Sequence, residues 1–239
     1  MGAAVGVATL ALLVILFPTP VDSRVDVLGG EHLGADSLRR VFGSPTLWTM
    51  GLAFLGAYGS YFGAVQLLPH YAQTTLNLDA GTAEGISVIL LVSGIPGAFI
   101  GGWLADRVAG IVPTFLVACS LEAAALVLVP YLGLLGVEIA AATIGAATIT
   151  AFVVWITIPG QHSDEFRVSD VPTAAGLMLT IVAVGGAVVP PLYGQIAATW
   201  GFAAAWGFEG VVTVGFAMSA GLALSRRPAN VAVPLSGGK

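Results

Sequence analysis

Residues 41–78 contain no Asp, Glu, Lys or Arg, and neither do residues 85–105 or 139–163. Uncharged apolar runs of this length meet the roughly 20 helical residues needed to cross a bilayer core of about 30 Å. A soluble core of this size could not hide them: 57% of the 239 residues are hydrophobic and only 9% are charged, against about 25% charged in an ordinary soluble domain. Lipid is therefore the solvent for most of the chain.

Seven stretches fit a membrane span, at residues 2–17, 46–68, 83–105, 111–132, 137–158, 172–197 and 206–224, with turn formers such as Pro69, Gly110, Gly133 and Gly201 between them. The first lacks the Lys or Arg that begins a secretory signal peptide, so it reads as a span. The predicted fold class is all-α, a polytopic membrane helix bundle with seven transmembrane helices. It divides into a first helix (1–18), a polar and at most partly helical linker (19–45), a six-helix bundle (46–225) and a tail (226–239).

The basic residues test this count, because Lys and Arg stay on the cytoplasmic side. Arg24, Arg39 and Arg40 follow the first span, Arg107 the third, Arg167 the fifth, and Arg226, Arg227 and Lys239 the seventh. All fall on one side, which predicts a multi-pass protein of the cell membrane with its N-terminus outside and its C-terminus cytoplasmic. The net charge of -5 carries no basic tract, which argues against a nucleic-acid partner.

The same pattern narrows the function. A retinal protein needs a lysine within a helix, and Lys239 lies in the tail. His32, His70 and His162 are far apart, no Asp lies mid-span, and Cys119 stands alone in an apolar stretch, so neither an intramembrane enzyme, a shared metal nor a cofactor is expected. No phosphate-cradling glycine loop followed by Lys and Ser or Thr is present, so transport would draw on a gradient rather than on a nucleotide. A receptor-like sensor or a structural subunit is the alternative.

The third span carries Gly94, Pro96, Gly97, Gly101 and Gly102, and the sixth carries Gly185, Gly186, Pro190, Pro191 and Gly194. Aligning Gly102 with Gly194 also aligns Gly94 with Gly186 and Ala105 with Ala197. The last six helices thus read as two three-helix units, and because three is odd the second is inverted in the membrane, a signature of transporters.

Gly102-Trp103-Leu104-Ala105-Asp106-Arg107 resembles the loop motif of major facilitator superfamily transporters, and residues 176–201 resemble that family's eleventh helix. By this resemblance the first span corresponds to the family's sixth helix and the next six to its seventh to twelfth. Ala109, Gly110 and Ile111 depart from the motif, where the family has its second glycine and basic pair. The resemblance implies a secondary transporter moving a small solute by alternating access. It further implies that this chain is a fragment or a half, completed by an N-terminal half or a second chain in the bilayer.

The resemblance also assigns roles. Gly102, Asp106 and Arg107 would form a gating motif at the cytoplasmic face. The first helix of each unit would line the cavity, which points to Tyr58, Tyr61 and Gln66 in the second span and Thr148 and Trp155 in the fifth as substrate-binding groups. Thr143, Thr150 and Thr157 are read as bonding to their own helix. Glu122, the one ionisable group near the middle of a span, is a possible proton site. Glu84, Glu138 and Glu209 are read as wetted groups near outer helix ends.

Overall fold

The computed structural model describes residues 35–161 and 166–225. The expected first span, the linker up to residue 34, His162 and the tail lie outside the described residues. The helices are α1 Ala35–Gly43, α2 Pro45–Thr75, α3 Ala80–Arg107, α4 Ile111–Leu128, α5 Leu134–Ile156, α6 Ile158–Gln161, α7 Val171–Trp200 and α8 Phe202–Ser225. Short 3-10 turns follow α4 and precede α7. Six helices, α2, α3, α4, α5, α7 and α8, are long and apolar enough to cross a membrane, and no strand occurs among the described residues.

The described residues from Arg39 onward form one compact unit, and its pairings repeat. The first helix of each trio packs along the second helix of the other: α2 lies along α7, and α5 along α3. The third helices, α4 and α8, pack against each other, and each also packs on the first helix of the opposite trio. The repeat extends to single residues. Gly110 and Gly201, which precede α4 and α8, hold φ/ψ of 80°/174° and 86°/169°, a positive-φ corner that favours glycine. Gly94 meets Ile149 of α5, while Gly186 lies beside Phe62 and Tyr58 of α2, so the aligned glycines sit at matching crossings.

Without a hydrophobic force between helices in lipid, close approach depends on small residues and interhelical hydrogen bonds. At the α3–α5 crossing, a Cβ on Gly145 would collide with the Leu90 carbonyl and one on Gly97 with the Ala146 carbonyl. Thr150 Oγ1 donates to the Gly97 carbonyl at 2.8 Å, so this threonine ties α5 to α3 instead of bonding within its own helix as expected. Thr143 and Thr157 do bond within their own segment, to Ile139 and Val154.

Pro69 does not end α2, which continues to Thr75. A proline inside a helix removes the donor for the carbonyl four residues earlier, here that of Val65. Ser87 of α3 supplies one, its hydroxyl reaching the Val65 oxygen at 2.9 Å. The interruption thereby becomes a tie between α2 and α3.

Two ends of the bundle are set by carboxylates. Asp79 caps α3, accepting the Thr82 amide at 3.1 Å and its hydroxyl at 2.6 Å, and these bonds hold its carboxyl below the usual range. At the opposite end Arg40 grips Asp170 through two bonds of 3.2 Å, with Asp170 almost wholly buried. This clasp brings the segment before α2 and the segment before α7 to the same end. Arg40→Ala is expected to lower stability in lipid by about 1–3 kcal/mol, the lower part of that range reflecting the arginine's partial exposure. Denaturant unfolding in bicelles measures it, and an unchanged midpoint would show that the clasp contributes nothing.

Candidate functional site

The substrate-binding candidates do not converge on one surface. Tyr58 and Tyr61 are half-buried on α2, one turn apart in register, and Phe62 joins them at ring-centroid distances of 4.9 and 5.7 Å. Gly186 of α7 leaves Phe62 and Tyr58 room to lie against its backbone. Neither phenol has a hydrogen-bond partner among the described residues, so both hydroxyls are available to a solute. Phe62 is the member that sequence reading missed; its ring carries no polar group to single it out.

Trp155 is placed differently. It is fully buried, its indole N–H donates to the Met50 carbonyl at 2.7 Å, and Phe54 packs on it at 5.1 Å. The expectation that it lines a solute path is corrected: it fastens α5 to α2 inside the core. Thr148 is likewise buried, with its hydroxyl proton given to the Ile144 carbonyl. Gln66 is exposed on the C-terminal half of α2.

Glu122 is fully buried in α4. The structure brings it together with two other candidates: Thr148 approaches it from α5, and it lies within electrostatic reach of Tyr61 on α2. Glu209 joins this interior group. It too is fully buried, so the reading of it as a wetted outer group is corrected. Its carboxyl fits over Gly63 of α2, where a Cβ would collide with Oε1, and its backbone carbonyl accepts the Ser60 hydroxyl at 3.1 Å. Glu84 is exposed and Glu138 partly so.

The proposed gating residues stand at the end of α3. Asp106 and Arg107 are exposed and form no ion pair among the described residues, and a side chain on Gly102 would meet nothing within 4 Å. Two surface cavities lie elsewhere. One of about 690 Å³ is bounded by α3, α4 and α5, with Pro96, Ile100, Val117 and Leu121 in its walls, and one of about 710 Å³ lies between α4 and α8. Their linings are almost wholly apolar and include none of the substrate-binding candidates, which suits lipid hydrocarbon better than a polar solute. No group of His, Cys, Asp and Glu able to hold a metal occurs among the described residues.

No curated protein matches the sequence. Among solved structures, the chain is similar to a mutant of the peptide transporter POT in complex with alafosfalin, with a TM-score of 0.66 and 19% identity. The similarity covers 80% of this chain and 42% of that transporter, so the chain spans less than half of the solved protein's length. At that identity the likeness speaks for the fold. Residues 1–190 match the Major Facilitator Superfamily, most of the chain, and with six membrane-crossing helices arranged as interlocked trios, the chain is a multi-pass membrane protein that belongs to that superfamily.

Proposed function

We propose that this chain supplies one six-helix half of a secondary transporter that moves a small solute by alternating access. The observation that carries the reading is the exchange of helices between two inverted trios, α2 with α7 and α5 with α3. Such a unit moves as a rigid body, and alternating access needs two such bodies rocking about a shared site. The second body, on the same polypeptide or another, packs on the faces this bundle leaves uncovered. Exposed Ile95, Phe99 and Trp103 on α3 are suited to that contact or to lipid.

The solute meets α2. Free phenols at Tyr58 and Tyr61 offer hydrogen bonds, and Phe62 offers a ring to stack on, a combination that suits a small uncharged or amphipathic molecule. Arg39, Arg40, Arg107 and Arg167 belong on the cytoplasmic side, which puts the C-terminus inside and the start of the chain outside. There Asp106 and Arg107 can pair with the second body in one of its two states, and bare Gly102 admits a helix close by.

Uptake into vesicles tests this. The bundle of residues 46–225 alone is expected to insert without transporting, and co-expression with a second six-helix half to restore uptake from a panel of small solutes. Tyr58→Phe and Tyr61→Phe should each weaken solute binding about five- to tenfold, the effect of one lost hydrogen bond of about 1 kcal/mol. Uptake by the bundle alone would overturn the half-pathway, and unaltered binding in the double phenylalanine variant would overturn the site.

A further inference from the structure

Burying a polar atom in a lipid-embedded bundle is costly, so unpartnered ones that gather in one place mark a site that holds something. Here they gather. Neither carboxyl oxygen of Glu122 or of Glu209 has a hydrogen-bond partner among the described residues, and both side chains are fully buried. The Thr213 hydroxyl and the Tyr193 phenol are also buried and unpartnered. Thr213 is one turn beyond Glu209 on the same face of α8, and Tyr193 of α7 lies within electrostatic reach of Glu209, as Glu209 does of Glu122. Counted from the turn glycines Gly110 and Gly201, Glu122 and Thr213 hold the same place in their two trios.

The surrounding helices supply no positive charge. Tyr61 and Tyr71 come from α2, Cys119 from α4 itself, Thr148 from α5 and Tyr193 from α7; no Arg, Lys or His acts on either carboxyl among the described residues. Two ionised carboxylates in such surroundings would repel each other and forgo their hydration. With no cation at hand, protons are what can neutralise them; the neighbouring hydroxyl on α5, Thr148, donates to the Ile144 carbonyl at 2.8 Å and carries no charge of its own.

We propose that Glu122 and Glu209, with Thr213 and Tyr193, form a proton-holding site inside the bundle whose occupancy is sensed by α2. The ligand is the hydrogen ion. On release a carboxyl O–H bond breaks, the electron pair stays on the carboxylate, and the proton passes to water. Two contacts carry the change to α2: the Glu209 carboxyl rests on Gly63, and the Ser60 hydroxyl is tied to the Glu209 backbone carbonyl. This site is an equilibrium property of the bundle and does not depend on the transport reading.

Infrared spectroscopy of the full chain in lipid nanodiscs tests it. At neutral pH the wild type should show a protonated-carboxyl band that shifts in D2O and fades as the pH is raised. Glu122→Gln and Glu209→Gln should each remove a share of the band, the double variant should abolish it, and the exposed control Glu84→Gln should leave it intact. Hydrogen exchange over residues 58–66 should increase as the wild-type band fades and stay flat with pH in the double variant. A band untouched by both substitutions would overturn the proposal. So would its absence from the wild type at neutral pH, a result that holds even if a variant fails to fold, or a wild-type spectrum that answers to sodium instead of pH. Unchanged exchange along α2 would overturn the sensing.

Discussion

Gly145→Leu is expected to prevent the six helices from assembling, with a loss of more than about 3 kcal/mol, at or beyond the upper end for overpacked cores. At this crossing even a methyl group would occupy the place of the Leu90 carbonyl oxygen, and Ser93 Oγ stands beside it. A backbone oxygen cannot rotate away as a side-chain tip can, so α5 must retreat from α3 along its length. The retreat would break the Thr150 bond to Gly97 and open the packing of Gly94 and Gly97. Gly102→Leu, on the same helix but facing open space, should be tolerated. Steric trapping or detergent denaturation of the two variants side by side measures the contrast; equal stabilities would show that close helix approach is not what holds the trios together.

Trp155→Ala should cost on the order of 3 kcal/mol, through a large internal cavity and the loss of the bond to Met50. The lost volume lies within the cluster of Phe54, Phe115 and Phe152, whose rings meet one another or the indole at 5.1–6.2 Å. Trp155→Phe keeps much of the packing and forfeits the indole donor, so about 1 kcal/mol is expected. The same pair of variants separates a core role from a binding role. A core role lowers thermal stability in proportion to volume lost and leaves solute affinity unchanged in the phenylalanine variant, whereas a solute contact would weaken affinity without lowering stability.

The six spans among the described residues were legible because the bilayer sets a length that apolar runs either meet or miss. The two trios were legible from glycine and proline placement, which governs how near two backbones can come. What a single chain cannot display is which face of a helix meets which neighbour. Glu209 illustrates this: its place early in α8 says how deep it lies along the axis, but only the packing of α8 on α2 turns it onto Gly63. Thr148 and Thr150 differ by two positions, a rotation of about 200° on a helix, and that rotation separates a hydroxyl beside Glu122 from one that binds α3. Pro69 looked like punctuation because the donor that compensates for it, Ser87, belongs to another helix. Of the candidate site, the two tyrosines and Glu122 were visible as polar groups out of place in apolar spans; Phe62 and the second carboxylate became visible only in three dimensions.

The interlocking of the two trios bears on how the protein is made. Helices leave the ribosome in order, so α2 enters the membrane long before its main partner α7 has been synthesised, and α3 must wait for α5. During that interval the bare glycine strips of the early helices are unmatched and open to wrong neighbours. A nascent chain halted after α4 would therefore hold α2 and α3 joined through the Ser87 tie but without their main partners, and close packing along α3 should begin only once α5 arrives to claim it.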